Sequence, residues 1–326
     1  MVMQATLTAG SEPPYLQYRT VPGGALRRWL LHRLLKVTVK RWKFGPGEID
    51  RLRREQAQVD RRFGKVDPQL TRRPVDAGGV AAEWIDAPET QPQRTLLYIH
   101  GGAFVLRFPN MHAALAGRWC RGLGARALMV DYRLAPEHPY PAALDDCVAA
   151  YLWLLRQGTR PEEIVVAGDS AGGNLTLALL LRLKASHEPL PRCAVLLSPA
   201  VDFTLSSPSL FSNGGSDPMF TLDGLAALRL MYARPEQFLD PTVSPLYGDF
   251  AGLPPLLFHA GDVEMLRDES TRAAARAHAA GVPVEVEIWR DMAHVFHALP
   301  LPQAAAAEGR LLNFIARHTG WTVSAG

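Results

Sequence analysis

A serine stands between two glycines in Gly168-Asp169-Ser170-Ala171-Gly172, where the apolar run EIVVAGD (163–169) gives way to a helical pattern over 171–186. The G-x-S-x-G spacing suits a strand, a sharp strained turn and a helix, with the hydroxyl raised clear of the backbone as a nucleophile. Gly168 and Gly172 would let strand and helix approach closely. The helix N-terminus adds free N–H groups and the positive end of the helix dipole. A chain of this length carries about 0.1 such pattern by chance. The chemistry implied is nucleophilic attack on an acyl carbon with a covalent intermediate. Asp169 starts on the far side of the turn from the Ser170 hydroxyl, so it is expected to orient the turn and not to move protons.

Acyl transfer builds negative charge on the carbonyl oxygen, which preorganised N–H donors stabilise. His100-Gly101-Gly102 follows the run RTLLYIH (94–100). Consecutive glycines there, with Ala171 after the serine, suggest a donor set of Gly101, Gly102 and Ala171. His100 is expected to hold the loop in shape. In this class of serine enzyme the acid follows the serine in the chain and the base follows the acid. The stretch HAGDVEMLRDES (259–270) holds four acids. Asp268 and Glu269 fall in the first turn of the next helix, where the dipole favours them, which leaves Asp262 and Glu264. Beyond them lie His278, His294, His297 and His318. His278 sits in a small-residue helix and His318 near the chain end. His294 and His297 share the loop after VEVEIW (284–289), where a base could reach a strand-end site.

These residues need a scaffold. Continuous apolar runs at 94–100, 126–132, 163–169, 193–199, 255–262 and 284–289 read as strands. Helical patterns at 110–122, 141–157, 171–186, 266–280 and 302–317 fall between most of them or close the chain. Apolar strands alternating with helices predict an α/β fold: a mostly parallel central sheet with helices on both faces. Sites in such folds lie beyond the carboxyl ends of the strands, where the chemical residues collect. Residues 203–250 break the rhythm, with one helical stretch at 221–232, and read as an insertion over the strand ends. ALRRWLLHRLLKVTVKRW (25–42) reads as a basic amphipathic helix. Its expected state is packing on the same chain with the basic face in water; the alternative is contact with a membrane surface. The predicted organisation is cap helices over 1–60, a catalytic domain over 61–202 and 251–326, and a cap insertion over 203–250. Trp29, Phe44, Phe104, Phe203 and Phe220 are candidate pocket walls, and Phe104, Phe203 and Phe220 the candidate substrate-binding residues.

The 326 residues are 48% hydrophobic and 21% charged with a net charge of +3, an ordinary globular composition. That charge is too mild to suggest nucleic acid, and no apolar run is long enough to predict a membrane span. Three cysteines, Cys120, Cys147 and Cys193, have no metal-like spacing and read as buried free thiols. No signal-peptide pattern is read, so a cytoplasmic location is expected.

HGGAF (100–104), DYRLAPEHPYPAALDD (131–146), GDSAGGNL (168–175), LPPLLFHAG (253–261) and MAHVFH (292–297) occur in that order. Over about residues 75–317 the chain resembles the bacterial hormone-sensitive-lipase-like esterases, the HGGG/GDSAGG branch of the α/β-hydrolase superfamily. The resemblance implies an α/β-hydrolase fold with a helical cap, and a carboxylester hydrolase for short to medium acyl chains. It implies no cofactor and no metal, a small-molecule ester as partner, and a homodimer as a candidate assembly. It marks His294 as the base. Aligned on Leu266 and Asp268, it makes Glu264 the acid, 30 residues before His294, with Asp262 the alternative. The signature 131–146 implies structural pairing by Arg133, Glu137 and Asp145. Ala103 stands where many members have a third glycine, and still supplies a backbone N–H. Two rival readings are a lactone or amide hydrolase with the same triad, and a non-catalytic ligand-binding protein on this scaffold, as in some plant hormone receptors that lack the histidine.

Overall fold

The computed structural model describes residues 12–45 and 47–324. In chain order the elements are β1 (Leu16–Arg19), α1 (Ala25–Val37), α2 (Ile49–Phe63), β2 (Thr71–Asp76), β3 (Ala81–Asp86), β4 (Thr95–Ile99), α3 (Pro109–Leu123), β5 (Arg126–Val130), α4 (Ala142–Arg156), β6 (Ile164–Asp169), α5 (Ala171–Ala185), β7 (Cys193–Leu197), α6 (Ser209–Ser212), α7 (Leu222–Tyr232), β8 (Leu256–Gly261), α8 (Arg267–Ala279), β9 (Val284–Trp289) and α9 (Pro302–Thr319). The strands form one sheet in the order β1-β9-β8-β7-β6-β4-β5-β3-β2. Every pairing is parallel except β2 with β3 and β3 with β5.

Alternation along the strands splits the core into two layers. Leu97 and Ile99 of β4 pack with Leu144, Tyr151 and Leu154 of α4 and Leu175 and Leu179 of α5. Leu96 and Tyr98 point the other way, onto Leu115 and Trp119 of α3 and Leu311 and Phe314 of α9. Both faces are therefore covered, and β4, β6, β7 and β8 are buried along their whole length, as parallel sheets require. Twelve of the fifteen residues of α5 are buried, because it is apolar on all sides and runs through the centre of its layer. The start of α3 is held from outside: the buried Asp60 of α2 accepts from the N–H groups of Asn110 and Met111, matching the unpaired donors of a helix N-terminus.

The six predicted strands and the main helices form. Three strands were not predicted. β1, within the stretch assigned to the cap, pairs in parallel with β9 and forms one edge of the sheet. The hairpin β2–β3 extends the other edge. The helix predicted over 25–42 stops at Val37, and residues 39–41 form a separate 3-10 turn. The segment 203–250 contains the short helix α6 as well as α7. Cys120, Cys147 and Cys193 are buried free thiols.

Candidate active site

β9, β8, β7, β6 and β4 are consecutive neighbours in the sheet, and the sequence-predicted residues follow their carboxyl ends. Ser170 links β6 to α5 with φ 53° and ψ −118°, a backbone conformation that L-residues rarely adopt. Its N–H donates to Leu197 O at 2.8 Å, and its carbonyl accepts from Asn174 at 3.1 Å and Ala200 at 3.2 Å. The turn leaves no room for side chains beside it. A Cβ on Gly168 would lie 2.3 Å from Gly172 O, and one on Gly172 would lie 2.0 Å from Ile99 O.

His294 Nδ1 lies 2.6 Å from Glu264 Oε2, and both side chains are buried. Glu264 Oε1 accepts from the Gly261 N–H at 2.7 Å and from Ser198 Oγ at 3.0 Å. Ser198 Oγ in turn accepts from the Val295 N–H at 3.2 Å. The carboxylate is thereby clamped between the ends of β7 and β8 and the loop carrying His294. Asp262 is not part of this cluster. Its nearest cation is Arg290 at 3.9 Å, and its Oδ1 is buried without a hydrogen-bond partner. Burial pushes its carboxyl above the usual range, against the opposing effect of the Asp291 backbone N–H. His294 Nε2 is buried and has no hydrogen-bond partner. Ser170 and His294 are not joined by a hydrogen bond, a common looseness in an unliganded site.

Beyond β4 the backbone turns through Gly102 (φ 127°), Ala103 (φ 55°) and Phe104 (φ 63°). A Cβ on Gly102 would strike Leu106 O at 2.1 Å, so glycine is required there. The expectation for Gly101 needs correction. Its N–H donates to Asp169 Oδ1 at 3.0 Å and is not free for a ligand. Among the described residues no acceptor is found for the N–H of Gly102, Ala103 or Ala171, and the first N–H groups of a helix have no intrahelical partner. Asp169 also accepts from Tyr98 Oη at 2.8 Å and faces His112 Nε2. Burial raises its pKa, but His112, Tyr98 and the Gly101 N–H outweigh that and hold it at about 2. Asp169 thus ties the Gly101 loop to the elbow. His100 accompanies it: its Nδ1 is 2.7 Å from Gly101 O and its ring stacks on Tyr132. Burial and then His112 lower its pKa to about 4, so it is neutral.

A cavity of about 60 Å³ opens beside Ser170 and Ala171, walled by Ala103, Phe104, Phe203, Phe220, Leu225 and Leu228 among others. Phe220 also meets the His294 ring edge-on, 4.8 Å between centroids. Trp29 is exposed and Phe44 only partly buried, and neither lines this cavity. Glu269 does line it, which its position in a helix first turn did not suggest. It is buried, and its Oε2 accepts from the N–H groups of Val201 at 2.5 Å and Asp202 at 2.8 Å. Burial, and then Asp202, push its carboxyl well above the usual range. His297 is buried and does not line the cavity; its Nε2 is 3.1 Å from His259 Nδ1. Arg133, Glu137 and Asp145 are all paired, but to other residues than one another: Asp146, Arg53 and Arg182 respectively.

A family model described as alpha/beta hydrolase fold matches residues 96–298. An esterase of Acinetobacter venetianus is 36% identical over 299 residues, covering 90% of this chain and 97% of the relative. An acetyl-hydrolase of Streptomyces hygroscopicus is 37% identical over 258 residues, covering 78% and 85%. Among solved structures, an esterase from the bacterial hormone-sensitive lipase family superposes with a TM-score of 0.85 at 34% identity, covering 92% of this chain and 100% of that one.

Proposed function

The chain belongs to the bacterial hormone-sensitive-lipase-like esterases of the α/β-hydrolase fold, and from that premise we propose that it hydrolyses carboxylic esters through Ser170, His294 and Glu264. The observation that carries this reading is the buried 2.6 Å contact between Glu264 Oε2 and His294 Nδ1, beside a serine on a strained strand-to-helix turn. A carboxylate on Nδ1 fixes the tautomer that leaves Nε2 free to accept a proton, and Nε2 has no competing partner.

Ser170 Oγ attacks the acyl carbon while His294 Nε2 takes its proton. Electrons move onto the carbonyl oxygen, and the amides of Gly102, Ala103 and Ala171 donate to it, in place of the Gly101, Gly102 and Ala171 set. Collapse of the tetrahedral intermediate breaks the ester C–O bond, and His294 returns the proton to the departing alkoxide. Water then attacks the acyl-enzyme, losing a proton to His294, and the acid leaves as Ser170 regains its hydrogen. Glu264 stabilises the imidazolium in both halves. Phe104, Phe203 and Phe220 enclose the apolar part of a short to medium acyl chain. No step requires a metal or cofactor.

The test is a serine-directed phosphonate. Intact mass and peptide mapping should place one adduct on Ser170, and Ser170→Ala should neither label nor turn over p-nitrophenyl butyrate. Labelling elsewhere, or turnover by Ser170→Ala, would refute the assignment. A panel of lactones and anilides beside esters separates this reading from lactone or amide hydrolysis.

A further inference from the structure

α1 presents an apolar face to water. Leu26, Trp29, Leu30, Leu34 and Val37 are 71, 53, 52, 48 and 53% exposed, and no residue of the helix is buried. The expectation that this helix packs its apolar side on the same chain is therefore corrected: Leu31 and Leu35 turn inward and are partly covered, while five large apolar side chains share the outward side. Single exposed apolar residues are ordinary, but a contiguous exposed stripe marks a contact surface.

The charge around the stripe selects the partner. Between residues 13 and 47 the sequence has eight Lys or Arg and no Asp or Glu, although the whole chain is nearly balanced at 35 to 32. Arg33 lies over the Trp29 ring at 5.1 Å. Arg33, Lys36, Arg41 and Lys43 are exposed, and among the described residues none of them forms a salt bridge. Exposed Leu, Val and Trp among basic side chains without salt bridges, in a segment without acids, fit an anionic lipid–water interface. A second copy fits less well, because a symmetric contact would set this acid-free basic segment against itself. No helix among the described residues is long and apolar enough to cross a membrane, so α1 would lie on such a surface.

The 3-10 turn that follows α1 is wired to the candidate site. Lys40 Nζ donates to Gly214 O at 2.9 Å and Asp217 O at 2.6 Å. The Asp217 carboxylate accepts from the N–H groups of Phe220 at 3.0 Å and Met265 at 2.7 Å. Phe220 walls the cavity and touches His294.

We propose that α1 docks the enzyme on anionic membrane surfaces, delivering the cavity to esters held there. The docking stands on the exposed face and its charge; its use in turnover rests on the ester-hydrolase reading above.

The experiment is co-sedimentation of the full chain with vesicles of phosphatidylcholine alone or mixed equally with phosphatidylglycerol, at low and high salt. The chain should bind the mixed vesicles at low salt, and roughly tenfold or more weakly when the anionic lipid is omitted or salt is raised. The variant Leu26→Glu/Leu30→Glu/Val37→Glu should lose binding while hydrolysing soluble p-nitrophenyl acetate as before, which shows that it is folded. Arg33→Gln/Arg41→Gln should weaken binding in the same direction. No sedimentation of the unmodified chain, or undiminished sedimentation of the triple variant, would overturn the proposal. So would a dimer that the triple variant breaks in the absence of vesicle binding, or vesicle binding seen only after removal of residues 2–11. If soluble ester is not hydrolysed by any form, the hydrolase reading fails and the vesicle result is read on its own.

Discussion

Glu264 has both carboxylate oxygens committed: Oε1 to the Gly261 N–H and Ser198 Oγ, Oε2 to His294. That leaves it one orientation, and the imidazole inherits it. Glu269 is the contrasting acid. It is buried on the cavity wall and its carboxyl is pushed up by burial and by Asp202. A carboxyl raised above its unfolded value binds its proton more tightly in the folded chain. Its contribution to stability is therefore present below the unfolded pKa, about 4.3 for glutamate, and is lost as pH rises through the folded value. Glu269→Gln removes that titration and keeps an oxygen for the Val201 and Asp202 amides. Its Tm relative to the unmodified chain should rise between pH 5 and pH 8; parallel Tm–pH curves would contradict the assignment. The sequence distinguished Glu264 from Asp262 only through the register of a family motif, and it placed Glu269 at a helix start without its environment. Helix position shows which turn a residue occupies, whereas its burial depends on the β7–α6 loop that packs over it. The Gly101 error has the same origin. Two glycines in a row indicate a close backbone approach, but which amide is free depends on Asp169, 68 residues away.

The junction of β6 and α5 is the element in which local sequence and tertiary structure agree most fully. Its glycines are set by distances to neighbouring backbone, so they can be tested directly. Gly172→Ala would drive a Cβ to 2.0 Å from Ile99 O and 2.6 Å from His100 O. Overpacking usually costs about 1–3 kcal/mol, and here the obstacle is the backbone of β4 and its loop, so the expected outcome is a markedly lower denaturation midpoint together with lost activity. A midpoint unchanged from the parent would mean that strand and helix are not so close. Of the three strands without a sequence signal, β1 and β2 are at the sheet edges. β2 reads TRRPVD and is largely exposed, and β1 is four residues long, LQYR. Neither has the continuous apolar run by which the central strands announce themselves, since an edge strand keeps one side in water. α1 was legible as a basic amphipathic helix, but which of its sides faces the protein was not, because leucines lie on both.

Across the whole molecule, the parallel core puts Ser170, Glu264 and His294 beyond the carboxyl ends of β6, β8 and β9, and the segment between β7 and β8 packs over Ser170. On the proposed reading the acyl group sits in the cavity beside Ser170, and the size of that cavity limits the chain length. A cavity of about 60 Å³ has room for roughly four to six water molecules, comparable to an acyl group of a few carbons. kcat/KM over p-nitrophenyl acetate, butyrate, octanoate and laurate should peak at the short end. Leu225→Ala, which widens the wall, should move the optimum to longer chains. A laurate optimum in the parent would show that the acyl chain lies elsewhere. The fold class and the strand-end location of the site were readable from alternating apolar runs. Three of the cavity walls, Phe104, Phe203 and Phe220, were named from the sequence; Leu225, Leu228 and Glu269 were not, since their place beside Ser170 depends on how the segment between β7 and β8 and the start of α8 pack over it.

The proposed triad of Ser170, His294 and Glu264 is tested most directly by kcat of Glu264→Gln beside Asp262→Asn on one soluble p-nitrophenyl ester. Glu264→Gln should lower kcat severely, by up to ~10⁴ if it behaves as the acid of a serine triad, with the fold retained. Asp262→Asn should have a much smaller effect. The reverse order, or a Glu264→Gln enzyme close to full activity, would contradict it.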